Sequence, residues 1–132
     1  MEIMTDTFET KYEKEYGKAL LPQPLTSRDQ VIILASILEG EAKTHEDMRI
    51  ISGILIKRML EGMALQVDVA PSTYKSRGLP DAPINNPGLV ALYAALHPET
   101  SPYLYYLTGN DGTMHYAKTF TEHKENITKY LR

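Results

Sequence analysis

The sequence has no cysteine and no tryptophan among its 132 residues. Without cysteine it can form neither a disulfide nor a thiolate nucleophile, and this composition suits any redox compartment. A net charge of −3 gives no reason to expect nucleic acid as a partner. No apolar run reaches the roughly 18–20 residues of a membrane span, and the acidic, polar N-terminus does not resemble a signal peptide. The length of 132 residues is enough for one globular domain with its own hydrophobic core.

The four histidines do not predict a metal centre. They lie at His45, His97, His115 and His123, and none forms the H-x-x-x-H or H-E-x-x-H spacing of zinc sites. We therefore predict no metal or other cofactor, and expect these side chains on the surface or in structural hydrogen bonds. Neither a G-x-S-x-G motif nor a phosphate-binding glycine loop is present, so carboxylates remain as the candidates for catalysis.

The first part of the chain is polar and differs from the rest. Aromatic residues spaced by four within residues 4–17 predict a short docking helix. The proline-punctuated stretch 20–27 is typical of a linker. We therefore assign residues 1–25 to a docking segment with its linker, and residues 26–132 to the main domain.

Two helices are predicted to open the main domain. Thr26 or Ser27 can cap the first, with an acid or amide three residues further on as a capping-box partner. Its run "VIILASIL" is apolar nearly all round, which predicts burial on most sides. Thr44 can cap the second helix, with Asp47 at the third helical position, and Gly62 can end it.

The middle of the chain predicts a strand, a loop and a third helix. Residues 65–69, "LQVDV", alternate in polarity and predict a short extended segment. Residues 70–88 contain four prolines and predict an ordered loop of the kind that often carries function. Asn86 and Pro87 predict the N-cap and first position of a helix over about 87–97.

The last part of the chain predicts a hairpin followed by a helix. "TGNDGT" separates two strand-like segments, 103–107 and 114–118, and its Asp-Gly pair is typical of a β-hairpin. Thr119 and Glu122 predict a capping box that opens a final helix ending at about Leu131. The predicted fold class is therefore α+β, mainly helical with a small antiparallel sheet.

Two carboxylates interrupt the end of the first predicted helix. Glu39 and Glu41 are separated only by Gly40. Because successive helix residues are about 100° apart, the two side chains lie about 200° apart and cannot share a face. Glu41 continues the apolar line of Leu34 and Leu38, so we expect partial desolvation, which raises the pKa of a carboxyl and suits a general acid. Glu39 can be an orienting partner or simply solvated, and both can equally be ordinary polar residues at a helix end.

Four further polar residues can complete a cleft around a carboxylate. They lie in or near the proline-rich loop: Gln66, Asp68, Tyr74 and Asn86. Structural roles explain at least two of them equally well, since Asp68 can be a turn or cap residue and Asn86 a helix N-cap.

Four blocks of the chain form an ordered pattern. They are "LASILEGEA", "IISGILIKRMLEGMALQVD", "TYKSRGLPDAPINNPGLVALYAALHP" and "SPYLYYLTGNDGTMHYAKTFTEH". In this order they resemble the MltG (YceG-like) endolytic murein transglycosylases, over about residues 26–132. The resemblance implies a lysozyme-like or YceG-like catalytic domain.

The resemblance also implies an activity. The family pattern "aSIvEkEa" has its catalytic glutamate at the second acid, which corresponds to Glu41, while the first acid, Glu39, lies beside the active site. Members cut nascent peptidoglycan between N-acetylmuramic acid and N-acetylglucosamine and leave a 1,6-anhydro-muramyl end. An ordinary glycosidase needs two carboxylates, whereas this reaction needs one, because the 6-hydroxyl of the substrate is the nucleophile.

By motif position, the implied substrate-binding residues are Gln66, Asp68 and Tyr74. Glu39, beside the active site, and Asn86, from the proline-rich loop, complete the predicted substrate-binding set. The implied partners are peptidoglycan glycan strands and, for the full-length protein, peptidoglycan synthases. Family members are anchored at the extracytoplasmic face of the bacterial cytoplasmic membrane by an N-terminal helix. Neither that helix nor a LysM-like domain is seen here, so we expect this chain to be a soluble catalytic domain.

The chain departs from the family pattern at three places. Gly40 replaces a usual Lys or Arg, and Lys57 stands where Asn is common. Asp68 is only six residues from Tyr74, where the family has a longer segment. Part of the cleft wall is therefore predicted to be missing. This shortening favours an alternative function, a non-catalytic module that binds peptidoglycan or holds a synthase.

Overall fold

The structure, a computed structural model, describes residues 21–67, 70–74 and 77–131. Within them the chain forms four α-helices, one 3₁₀ turn and one two-stranded antiparallel sheet. In chain order these are α1 (Arg28–Glu41), α2 (His45–Leu60), the 3₁₀ turn (Pro71–Tyr74), α3 (Leu89–Leu96), β1 (Tyr105–Thr108), β2 (Met114–Ala117) and α4 (Phe120–Tyr130). The predicted α+β class is confirmed. The docking helix predicted over residues 4–17 lies outside the described residues.

Helix α1 is the buried centre of the fold because its sequence has no polar face. Ser27 caps it: its Oγ accepts a hydrogen bond from the Gln30 N–H at 3.3 Å, and Gln30 Oε1 accepts one from the Thr26 N–H at 2.6 Å. Residues 31–38 are all buried, and the helix packs against α2 and α3. Burying one such aliphatic side chain contributes about 1.5–3 kcal/mol, so this run anchors the helix whose last residue is Glu41.

Helix α2 begins and ends as the sequence predicts. Thr44 Oγ1 accepts a hydrogen bond from the Asp47 N–H at 3.1 Å, which satisfies a backbone donor of the first turn. Gly62 follows the last turn with φ of 72°, a left-handed conformation that glycine adopts without steric cost. The helix is therefore closed at both ends by local chemistry.

One face of α2 binds residues 97–104, the segment that leads into the sheet. Arg49, Gly53 and Lys57 follow each other at intervals of four residues and so lie on one side of the helix. Three carbonyl groups of the segment accept hydrogen bonds from the two basic side chains: His97 from Arg49 at 2.9 Å, and Ser101 and Tyr103 from Lys57 at 2.6 and 2.7 Å. These bonds set where β1 begins.

Gly53 is the point of closest approach between this segment and α2. A Cβ atom at position 53 would lie 2.1 Å from the carbonyl oxygen of Glu99, whose own N–H donates to the Arg49 carbonyl at 3.0 Å. We expect Gly53→Ala to lower the free energy of unfolding by about 1–3 kcal/mol because the backbone must move apart. At an unhindered position inside a helix, replacing glycine by alanine instead raises the free energy of unfolding by about 1 kcal/mol.

Urea unfolding measures this effect directly. Leu60→Ala is the matched control, because Leu60 lies on the same helix and is 60% exposed. A Gly53→Ala protein as stable as the wild type would contradict the close contact with Glu99.

The predicted strand over residues 65–69 is wrong for the part that the structure describes. Residues 65–67 form no strand, and Gln66 has φ of 53°, which is left-handed. The Val67 N–H donates to Thr73 Oγ1 at 2.9 Å. The chain therefore folds back on the 3₁₀ turn, and this local bond takes the donor that a neighbouring strand would have used.

The third helix begins later than its Asn-Pro pair predicts. Helix α3 begins at Leu89 with Gly88 as the N-cap, so Asn86 is not the capping residue. The preceding loop is attached to α1 instead, because Asn85 Nδ2 donates to the Ser36 carbonyl at 3.1 Å. That attachment determines the path of the loop, and the helix starts only after it.

The predicted hairpin is present, and α4 lies against both of its strands. Tyr106 of β1 is opposite Tyr116 of β2, and Gly112 in the connection has φ of 82°. Thr119 and Glu122 form the predicted capping box at the start of α4. The hairpin and α4 therefore form one unit beside the helical core.

Candidate active site

A cleft of about 420 Å³ lies where the last residue of α1 meets β1 and α4. It brings together three of the predicted site residues, Glu41, Gln66 and Tyr74. Arg58 of α2 and His123 of α4 also line it. These residues are far apart in sequence, so the cleft is a product of the tertiary fold.

A pair of cross-strand tyrosines binds two carboxylates, one at the end of α1 and one in the first turn of α2. Tyr106 Oη donates a hydrogen bond to Glu41 Oε1 at 2.5 Å, and Glu41 itself is half-buried. The neighbouring Tyr116 Oη donates to Asp47 Oδ1 at 2.5 Å. Burial, together with the hydrogen bond to Asp47, raises the pKa of Tyr116 above its usual range. The hairpin thereby fixes the orientation of the Glu41 carboxyl group.

Glu39 faces a different neighbour, so the predicted divergence of the two acids is confirmed. Its side chain is exposed, and Oε1 accepts a hydrogen bond from the Gly88 N–H at 2.9 Å. Glu39 thus connects the end of α1 to the start of α3 and does not line the cleft. Asn86 is exposed and is also absent from the lining. Asp68 lies outside the described residues.

Gln66 and Tyr74 reach the cleft from a tightly bonded loop. Between them the buried Thr73 donates from Oγ1 to the Ala70 carbonyl at 2.7 Å, and its own carbonyl accepts from the Gln66 N–H at 3.3 Å. A non-glycine residue in the left-handed region costs of order 1–3 kcal/mol. The bonds around Thr73 offset that cost and keep Gln66 at the cleft.

Arg58 is a buried cation that joins three parts of the site. Its side chain is 5% exposed. Nε donates to the Leu104 carbonyl at 2.9 Å, and Nη1 donates to the Leu65 carbonyl. The guanidinium carbon also lies 5.3 Å from the centroid of the Tyr105 ring. Burial lowers the pKa of Arg58 from its ordinary value. Arg58 therefore ties α2 to both the loop and the start of β1.

His123 does not fit the surface or hydrogen-bonded role predicted for the histidines. Its ring stacks on Tyr105 with centroids 5.2 Å apart, and its Nδ1 is buried with no hydrogen-bond partner in the described part of the chain. Burial, and secondarily the charge of Arg58, lower the pKa of His123. Both effects favour the neutral form of the imidazole.

The residue-by-residue reasoning missed Arg58, Tyr106 and His123 as parts of the site. All three fall inside the sequence blocks that carry the family resemblance, "KRML", "YLYY" and "TEH". That resemblance was the available signal. It could not show that these side chains converge on the residue that ends α1.

A second cavity, of about 510 Å³, lies between the start of α1, the end of α2 and residues 77–81. Its only described carboxylate is Asp81, and it contains none of the predicted site residues. Across the described ranges, no three His, Asp or Glu side chains are grouped to hold a metal ion. The described helices include none that is long and apolar enough to cross a membrane. The chemistry therefore points to the smaller cleft.

Two proteins of known name are similar in sequence to this chain. The endolytic murein transglycosylase of Bacillus subtilis (strain 168) is 28% identical over 149 residues, covering 96% of this chain and 40% of that protein. The endolytic murein transglycosylase of Streptococcus pneumoniae (serotype 2, strain D39) is 22% identical over 131 residues, covering 78% of this chain and 24% of that protein. The chain thus spans less than half the length of either relative.

The fold and the family pattern agree with these relatives. A crystal structure of a YceG-like protein from Listeria monocytogenes matches with a TM-score of 0.76 at 31% identity, over 91% of this chain and 45% of that one. The sequence model of the YceG-like family matches residues 1–71 and 72–129. The break between these two matches falls in the segment from Asp68 to Tyr74. On this evidence the chain belongs to the YceG-like family.

Proposed function

We propose that this chain is the catalytic part of a peptidoglycan lytic transglycosylase. It cuts glycan strands between N-acetylmuramic acid and N-acetylglucosamine and leaves 1,6-anhydro-muramyl ends, which terminates strand elongation. The observation that carries the proposal is Glu41, the one carboxylate among the described residues that line the cleft. The relatives named endolytic murein transglycosylase support the substrate class.

A single carboxylate suits this reaction better than hydrolysis. A hydrolase needs a second carboxylate, as nucleophile or as base for water, at about 5–9.5 Å from the first. In a lytic transglycosylase the substrate's own 6-hydroxyl attacks the anomeric carbon, so no second carboxylate is required. The described lining supplies Glu41 and otherwise neutral or cationic groups.

Glu41 acts first as an acid and then as a base. As an acid it protonates the glycosidic oxygen while the bond to the anomeric carbon breaks and positive charge develops on the sugar. As a carboxylate it then accepts the proton of the 6-hydroxyl as that oxygen bonds to the anomeric carbon. Because Oε1 accepts the hydrogen bond from Tyr106 Oη, we assign the transferable proton of neutral Glu41 to Oε2. Tyr106 is thus a positioning residue for the acid.

The polar loop residues bind the sugar in this proposal. Gln66 and Tyr74 line the cleft with Glu41 and can hydrogen-bond sugar hydroxyl or N-acetyl groups. The binding roles of Glu39, Asp68 and Asn86 stay predictions. Glu39 and Asn86 have no place in the cleft lining, so we propose that Glu39 acts indirectly, by holding Gly88 at the start of α3.

The substrate determines where such a domain works. Nascent glycan strands emerge from their synthases at the extracytoplasmic face of the bacterial cytoplasmic membrane. We place this domain there, with peptidoglycan synthases as neighbours and a membrane anchor in the full-length protein. Cross-linking in cells between a full-length protein and a synthase would test the partnership, and an exclusively cytoplasmic location would refute it.

Product analysis tests the proposed reaction. Peptidoglycan strands incubated with this chain are expected to yield fragments with 1,6-anhydro-muramic acid ends, which weigh one water less than hydrolysis products. Mass spectrometry before and after borohydride reduction separates the two, because only reducing ends gain hydrogen. Reducing ends at the same bond would identify a hydrolase and overturn the transglycosylase assignment.

The alternative is a module that binds glycan without cutting it. The short segment between Asp68 and Tyr74, where the family match also breaks, favours this reading. If the wild type and Glu41→Gln bind strands with equal affinity and neither releases fragments, the binding module is the correct assignment.

A further inference from the structure

His123 lines the cleft but takes no part in the proton transfers assigned to Glu41. Its ring forms a cluster with two aromatic side chains: it stacks on Tyr105 at 5.2 Å and is tilted against Phe120 at 6.4 Å, and those two rings lie 5.9 Å apart. Phe120 is 58% exposed, so this aromatic group is open to a ligand. These ring contacts restrict the orientation of the imidazole.

The surroundings of the ring decide which nitrogen carries the proton. Nδ1 is buried and has no partner among the described residues, whereas Nε2 is not buried in this way. A proton on Nδ1 would be a buried donor without a partner, whereas a proton on Nε2 can be donated to a ligand or to water. The proton of the neutral ring therefore sits on Nε2, which becomes a hydrogen-bond donor available to the cleft.

Apolar surface flanks this donor. Phe120, Ile127 and Leu131 also line the cleft, and Ile127 and Leu131 are 40% and 42% exposed. Phe120, His123 and Ile127 follow at helical spacing, so they share one side of α4. One neutral N–H donor beside exposed apolar groups is complementary to a group that has a carbonyl oxygen and a methyl, and an acetamido group has both.

We propose that His123, Phe120 and Ile127 form a recognition site for an N-acetyl group of the glycan strand. The Nε2–H of His123 donates to the acetamido oxygen, and the acetamido methyl packs on Phe120 and Ile127. This inference rests on the proposed function for the identity of the substrate. It assigns His123 to binding and leaves bond cleavage to Glu41.

Two neutral β-1,4-linked tetramers test the site without turnover. One is the tetramer of N-acetylglucosamine, and the other is cellotetraose, which has hydroxyls in place of the acetamido groups. With the Glu41→Gln protein, calorimetry is expected to show about tenfold tighter binding of the acetamido tetramer, the worth of one neutral hydrogen bond and a buried methyl. Adding His123→Phe, which keeps the aromatic stacking, is expected to remove the hydrogen-bond part of this preference and leave only the part due to the buried methyl.

His123→Gln is the matched control, since its amide can place an N–H near the position of Nε2 and restore part of the preference. Nitrogen-15 NMR of the imidazole adds a readout that packing alone would not move: the Nε2–H tautomer in the free protein and a shift of that resonance with the acetamido tetramer only. An undiminished preference in the His123→Phe protein, or no binding of the acetamido tetramer, overturns the proposal. Because no cleavage is needed, a protein that binds selectively but forms no anhydro product would refute the proposed function alone.

Discussion

Replacement of Glu41 by glutamine is expected to lower the rate of anhydro-product formation by roughly 10³- to 10⁴-fold, the upper range for loss of a general acid-base group. Glutamine has nearly the same shape and can still accept the hydrogen bond from Tyr106. It can neither protonate the glycosidic oxygen nor accept the proton of the 6-hydroxyl. The measurement is single-turnover release of fragments from labelled glycan strands. Binding of the strands should change little, because the loss lies in the chemical step.

Glu39→Gln is the informative comparison for this variant. Its amide oxygen can still accept from the Gly88 N–H, which is the bond that Glu39 makes in the structure. We expect less than about a tenfold loss of rate, since weakening one hydrogen bond outside the cleft costs about 0.5–1.5 kcal/mol at most. A Glu41→Gln protein that keeps a tenth of the wild-type rate, or a Glu39→Gln protein that loses more than Glu41→Gln, would contradict the assignment of Glu41 as the acid.

Replacement of Arg58 by methionine is expected to have the largest effect on stability, a loss of about 3 kcal/mol. Methionine fills a similar volume but leaves the carbonyls of Leu104 and Leu65 without their donors, and each unsatisfied buried group costs about 1–3 kcal/mol. Urea unfolding should show a lower midpoint with an unchanged m-value, the signature of a pure stability change. Arg58→Lys should recover only part of this loss. Its ammonium group can donate to one of the two carbonyls, but it cannot reach both as a guanidinium does.

Arg49→Met is the control for Arg58→Met, because it makes the same substitution at another arginine of the same helix. Arg49 also bonds one backbone carbonyl, that of His97, but its side chain is 33% exposed. Water can replace its bond, and an exposed ion pair such as the one to Glu99 contributes about 0–1 kcal/mol. Equal losses for the two arginines would show that burial of Arg58 is not what makes it important.

The local chemistry of the sequence predicts most element boundaries. Ser27, Thr44 and Thr119 each cap a helix through a residue three positions away, and such bonds depend only on neighbours along the chain. Periodicity predicts equally well that α1 is buried on most sides and that Glu39 and Glu41 diverge. These features need no knowledge of distant residues.

Two predictions failed where distant contacts or folded-back loops overruled local preference. The Asn86-Pro87 pair has the chemistry of a helix start, yet the loop is attached to Ser36 of α1 and the helix begins at Leu89. The alternating stretch after Ala64 has strand-like polarity, yet Val67 bonds to Thr73 and Gln66 takes a left-handed conformation. Neither partner could be identified from the pattern of the segment itself.

By itself, then, the sequence determined the fold class, the capped helices and the family, and it predicted Glu41 as the catalytic acid. The tertiary structure alone decided what surrounds that acid. Glu41 and Tyr106 are 65 positions apart and meet because the segment after α3 is bound along α2 by Arg49 and Lys57. The same arrangement places His123 beside Arg58, with Nδ1 of its ring buried. Caps and periodicity arise from bonds within a few residues, whereas a cleft arises where distant surfaces are packed together.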